Sequence, residues 1–143
     1  MPFRVTTILI ALSLGFVTAC NRTLPAIPDS TLDRLYILSD AYLAAANALD
    51  RAPKNMGELA KYLPPDQSAT DLLNSPNDGK PYVLVWHIDP RQPPETEIPP
   101  LLAYEQEGLN GTYCVLTTMG VAQLDSQEFE KHLAITPGVL TKK

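Results

Sequence analysis

An α+β fold, a long amino-terminal helix packed on a small antiparallel sheet of three or four strands, is what this 143-residue sequence predicts. Three observations carry it. Leu35, Leu38, Tyr42, Ala45 and Leu49 recur at helical spacing. The second half of the chain is divided into short apolar runs by glycine, proline and asparagine. Three of those runs follow one another with tight turns between them, which is the order of an antiparallel meander. The single domain is expected to occupy 30–135, preceded by a tether at 20–29 and followed by a loose tail at 136–143.

Residues 1–19 have the form of an export signal, with Arg4, an apolar run over 8–17 and the small Thr18 and Ala19. The run is too short to span a bilayer as a permanent helix. Val17-Thr18-Ala19-Cys20 looks like the lipobox of bacterial lipoproteins, in which the peptide is cut just before the cysteine. The resemblance implies a mature chain that begins at Cys20, carries a lipid there and folds outside the cytoplasm, held to the cell membrane or the outer membrane. A plain signal peptide cleaved elsewhere, an uncleaved anchor, and a structural thiol at Cys20 are the alternatives. Between Cys20 and the domain, the polar stretch with Pro25 and Pro28 spans on the order of 30 Å when extended.

Removing 1–19 takes away only Arg4, so the formal charge moves from −5 to −6. A mildly acidic domain is a poor match for nucleic acid or anionic headgroups. The mature length suits one core that buries roughly two thirds of the unfolded surface. With Cys20 acylated, Cys114 has no partner for a disulfide and reads as a small buried hydrophobe among Tyr113, Val115 and Leu116.

Ser30 is placed to cap the long helix while Asp33 adds negative charge to its first turn. Leu32, Tyr36, Leu43 and Ala46 flank the main apolar stripe, so a broad buried face is expected. The helix should stop near Arg51, because the residue before Pro53 is pushed out of helical geometry. Asn55 caps a second, short helix with Glu58 three residues on, its stripe formed by Met56, Leu59 and Leu63 before Pro64 and Pro65 end it. A polar connection holding Leu72 and Leu73 leads to Asn77-Asp78-Gly79-Lys80-Pro81, which is turn chemistry.

The run 82–88 reads as a strand with Tyr82, Leu84, Trp86 and Ile88 on one face and Val83, Val85 and His87 on the other. Five of the eleven residues over 90–100 are proline, so this segment is an extended excursion outside the sheet. Strands follow at 101–106 and 112–118 around Asn110-Gly111, the strongest hairpin signal in the chain. A turn at Met119-Gly120 leads to a strand at 121–124. Asp125 then caps a last helix with Glu128 three residues on, and Phe129 and Leu133 face the core.

This order resembles the globular part of type II secretion pseudopilins of the major, G-type class. The matching residues are the helix over 32–49, then Arg51-Ala52-Pro53-Lys54-Asn55, then Ser75-Pro76-Asn77-Asp78-Gly79-Lys80-Pro81-Tyr82, which looks like that family's Pro-Trp-Gly-x-Pro-Tyr turn. Small lipoproteins and prepilin-like proteins of planctomycete type share the end seen here as Leu102-Ala103-Tyr104-Glu105, Asn110-Gly111, Val115-Leu116, Met119-Gly120-Val121 and Glu128-Phe129. That likeness implies no particular activity. Pseudopilins polymerise through an attached hydrophobic helix with a glutamate near its processed end. Here Cys20 and a cleavable peptide stand in its place, so the resemblance is to a pilin head without the filament-forming stem.

Candidate chemistry is sparse. His87 and His132 sit on different elements with no second histidine or thiolate at metal-ligand spacing, and no cofactor motif is present. Glu105 and Glu107 lie at a hairpin end, where carboxylates beside an exposed turn act as solubilising charges and, held in a cleft, would serve as acid and base. Asp78 with Asn77 reads as a structural turn, with an oxygen site for calcium as the alternative. Tyr82, Trp86 and Tyr104 read as core, or as an aromatic surface for a peptide or sugar. Residues 90–100, with Pro93, Pro94 and Pro99 as candidate partner-binding residues, read as a recognition loop or as a tolerated surface insertion. The leading expectation is a non-catalytic, lipid-anchored domain that binds or scaffolds an envelope or secretion-apparatus protein. The alternative is an envelope hydrolase using carboxylates near Glu105 or Asp78, favoured by a concave pocket joining them to His87.

Overall fold

The computed structural model describes residues 29–139. The expected signal peptide, the lipidation residue Cys20 and the tether as far as residue 28 lie outside the described residues, as does the tail beyond 139. Within them, a long helix packs on a four-stranded antiparallel sheet.

Helix α1 (Asp29–Leu49) buries Leu35, Leu38, Ala41, Tyr42, Ala45 and Ala46. The face is narrower than expected, since Tyr36 and Leu43 are 56% and 44% exposed. Each stands one step of about 100° beyond a buried neighbour, which turns it away from the sheet. The helix ends with Asp50 in the left-handed region (φ 52°), a common way to release the last carbonyls. Helix α2 (Met56–Leu59) begins as the sequence indicated: Glu58 N donates to Asn55 Oδ1 at 3.1 Å. It continues as one 3₁₀ turn (Ala60–Tyr62) and stops at Leu63, which is extended before Pro64. The connection holding Leu72 and Leu73 contains a five-residue helix, α3 (Ala69–Leu73), that buries Leu72. A single turn is too short for the helical period to be visible.

The sheet has the order β1-β2-β3-β4, formed by β1 (Val83–Leu84), β2 (Leu101–Tyr104), β3 (Thr112–Thr117) and β4 (Gly120–Asp125). β1 is far shorter than the run 82–88. Tyr82 N donates to Leu73 O at 2.7 Å, and His87, in the left-handed region (φ 67°), donates its N–H to Pro53 O at 3.2 Å. Both ends of the run are thus drawn toward the layer of loops and helices beside the sheet. The alternation survives in the packing, with Tyr82, Leu84 and Trp86 in the core under α1 and Val85 in the core on the other face. The Asn110-Gly111 hairpin forms as expected: Leu109 and Thr112 exchange hydrogen bonds of 2.8 and 3.0 Å, and both central residues have positive φ (53° and 74°).

Helix α4 (Ser126–Ile135) starts at a reciprocal capping box of Asp125 and Glu128 and covers the second face of the sheet. Its Phe129 stacks on Tyr113 with ring centroids 4.0 Å apart and meets Tyr104 edge-on at 5.4 Å. The sheet is therefore sandwiched between α1 and α4, which explains why β3 is apolar on both faces and nearly all buried. A register shift between Leu101 and Ala103 turns Leu102 and Ala103 together toward α1. The fixed structure does not end at 135. Thr136 is buried, accepting Leu101 N at 3.0 Å and donating to His132 O at 2.6 Å through its hydroxyl, and Val139 packs on the α4-side core.

The Tyr42 hydroxyl joins the layers. It lies 3.1 Å from Val85 O and 3.0 Å from Leu102 O, at the point where β1 and β2 part. Its ring is 6.1 Å from that of Trp86. Burial pushes the phenol well above its ordinary pKa, so it stays protonated and able to donate.

Candidate functional site

The turn that leads into β1 is closed from within. Ser75 N donates to Lys80 O at 2.8 Å, Gly79 N to Ser75 O at 2.9 Å, and Asn77 N to Ser75 Oγ at 3.0 Å. Gly79 takes φ 71°, which a side chain would resist. Asp78 Oδ1 accepts Lys80 N at 2.9 Å. Its other oxygen, Oδ2, reaches across to the hairpin between β2 and β3 and accepts the N–H groups of Glu107 (3.1 Å) and Gly108 (3.3 Å).

The hairpin returns the contact. Glu105 extends β2 by one residue, its N–H donating to Cys114 O at 3.3 Å, and its side chain has no exposed surface. Oε1 accepts the Ser75 hydroxyl at 2.5 Å, while Oε2 accepts Cys114 N at 2.7 Å and Asn77 Nδ2 at 3.2 Å. Gln106 Nε2 adds a bond to Pro81 O at 2.8 Å, and Lys80 pairs with Glu107 at the surface. Two turns thus exchange carboxylates: Asp78 holds the backbone of the hairpin, and Glu105 holds the side chains of the Ser75 turn. Gly108 lets the hairpin itself close, since a Cβ there would sit 2.2 Å from Thr112 O.

The placement of Glu105 corrects the expectation of a solubilising charge beside an exposed turn. Its alternation along β2 points it into the space between the turn and β3, and buried donors replace water around it. Glu107, two residues on, is the exposed member of the pair. Cys114, beside Glu105, is buried, and its thiol is pushed up to about 12, first by burial and then by the Glu105 and Asp78 charges. It is therefore a neutral, packed thiol rather than a nucleophile.

His87 lies apart from this cluster. It is exposed and lines two concavities, one of about 300 Å³ with Trp86, Tyr104 and Val139, the other of about 410 Å³ with Asp50, Lys54 and Arg91. Neither includes Asp78 or Glu105. His132 is on α4, with Nδ1 2.8 Å from Pro99 O; since a carbonyl only accepts, that nitrogen carries the proton. Among the described residues, no three of His, Cys, Asp and Glu are grouped to hold a metal ion. Tyr82 and Trp86 pack under α1 whereas Tyr104 packs on Phe129, so the three do not make one aromatic face. No protein-family model, curated protein or solved structure matches this chain.

The proline-rich excursion is held at both ends. Arg91 forks onto Asp89 (Nε to Oδ1 2.9 Å, Nη2 to Oδ2 2.7 Å) and reaches Asp50 Oδ1 at 3.2 Å, and the pairing holds the Asp89 carboxyl below its usual range. At the other end, Pro99 O meets His132 and Pro100 O accepts Thr118 N at 3.2 Å. Between these stems, Pro93, Glu95, Thr96 and Glu97 are exposed and Pro94 is half-buried. Pro99 is half-buried in the second stem.

Proposed function

We propose that this chain is a lipid-anchored, non-catalytic envelope protein whose domain, similar to a pilin head without its stem, binds or scaffolds another envelope component. One observation supports this reading above others. Asp78 and Glu105, the carboxylates with which a hydrolase would work, each accept three hydrogen bonds from the protein itself. A general acid or base needs a free oxygen within reach of substrate. What the domain presents instead is a braced, exposed segment over 93–97, suited to recognition.

No described helix is long and apolar enough to cross a membrane. In this reading the attachment is the lipid on Cys20, placing the domain at the cell membrane or the outer membrane on its extracytoplasmic side. A secretion-apparatus or pilus-like protein is the partner the pseudopilin likeness favours. The test compares wild type with Cys20→Ser. Wild type should partition with membranes and yield an acylated amino-terminal peptide, and the variant should appear as a soluble or unprocessed form. Unchanged partitioning of the variant, with no acylated peptide from wild type, refutes the anchor.

A further inference from the structure

We infer that residues 93–97, Pro-Pro-Glu-Thr-Glu, are the recognition element of this domain and that they meet a protein surface carrying an aromatic slot within a basic rim. This rests on the binding reading above and gives the partner its chemistry. Prolines fix φ and remove N–H donors, so Pro93 and Pro94 present rings and carbonyl groups that an aromatic slot accepts, while the chain bends at 92 and over 95–98 rather than running extended. Both flanking stems are tied down, by the Arg91 fork onto Asp89 and Asp50 and by the bonds to Pro99 O and Pro100 O. Thr96 adds an internal brace, its hydroxyl donating to Ile98 O at 2.7 Å. A segment so ordered loses little further entropy when it docks.

The charge on the segment selects the rim. Glu95 and Glu97 are exposed, and among the described residues neither has an ion-pair partner, whereas Glu58, Asp89 and Glu107 each pair with an Arg or Lys. Two carboxylates flanking Thr96 in a proline frame favour Lys or Arg at the edge of the slot, by steering and by exclusion of acidic surfaces. Of the apolar side chains exposed elsewhere, Tyr36 and Leu43 lie about two turns apart on α1 and Met119 lies at the β3–β4 turn.

The experiment uses the full-length protein in its membrane, with a photo-crosslinking amino acid at Gln92, beside the tip, or at Tyr36 on α1 as control. A protein adduct should form from Gln92 and not from Tyr36. Its yield should fall about tenfold in Glu95→Lys/Glu97→Lys, by a smaller factor in Glu95→Gln/Glu97→Gln, and also as salt rises from about 0.05 to 0.5 M. Pro93→Gly/Pro94→Gly should lower it about tenfold with an unchanged melting temperature. An adduct whose yield ignores both charge variants and salt, or one formed from Tyr36 alone, overturns the inference and leaves the scaffold reading standing. No adduct and no co-purifying protein with wild type overturns both.

Discussion

Replacing Glu105 by alanine would show what the exchange of carboxylates between the two turns contributes. The side chain is fully buried, and its removal strands the Ser75 hydroxyl and the Cys114 N–H, both in groups with 1% exposure or less. Each buried donor left without an acceptor costs about 1–3 kcal/mol. Asn77 Nδ2 belongs to a half-buried residue and can turn to water, so it adds little. Relief of the cost of burying a charge offsets part of the loss. The expected net cost is about 3 kcal/mol for Glu105→Ala. For Glu105→Gln it is about 1 kcal/mol, because the amide oxygen can take Cys114 N while its NH₂ donates to the Ser75 hydroxyl, which accepts as readily as it donates. Urea unfolding followed by the emission of Trp86, the single tryptophan and a neighbour of Tyr42, reads both values. A cost for Glu105→Ala below about 0.5 kcal/mol, the level of an ordinary surface change, refutes the reasoning. So does an equal cost for the two variants, which would mean that volume rather than hydrogen bonding is what the site requires.

Two further outcomes follow from the titratable groups. Cys114 should resist a thiol reagent at pH 8 in the folded protein and react at the ordinary rate in urea, because its thiol is held up at about 12; rapid reaction of the native protein contradicts the burial. Glu58 is lowered from 4.5 to about 2, chiefly by its hydrogen bonds from Arg51 (2.8 and 2.9 Å) and then by that from Lys54 N. Its contribution to stability is therefore complete above pH 4.5 and is lost as pH falls through about 2, since the unfolded chain binds the proton first. Glu58→Gln should flatten the acid limb of the stability curve over that interval, and an unchanged slope between wild type and variant counts against the pairing.

What was legible in the sequence is what nearest neighbours along the chain decide. The capping of α2 by Asn55 and of α4 by Asp125 and Glu128, the turn at Asn110-Gly111, and the stripe Leu35, Leu38, Tyr42 and Ala45 each depend on residues within a few positions of one another. Hydrogen-bond geometry, the φ that a residue tolerates and helical periodicity act over that range, so residue order alone determines them. The β2-β3-β4 part of the meander was legible for the same reason, because those strands follow one another through short hairpin turns, whereas β1 reaches β2 across residues 85–100.

The tertiary structure decided what depends on residues far apart in sequence. Glu105 is buried because Ser75, thirty positions earlier, and Cys114, nine later, surround it with donors, and nothing next to Glu105 in the chain signals this. β1 stops after two residues because Leu73 and Pro53 draw its flanks away, and Tyr36 and Leu43 face solvent because the sheet lies against the other side of α1. Thr136 belongs to the domain because Leu101, thirty-five residues before it, donates to its hydroxyl. A residue's type sets which partners it needs, and the folded chain alone brings those partners within hydrogen-bonding distance.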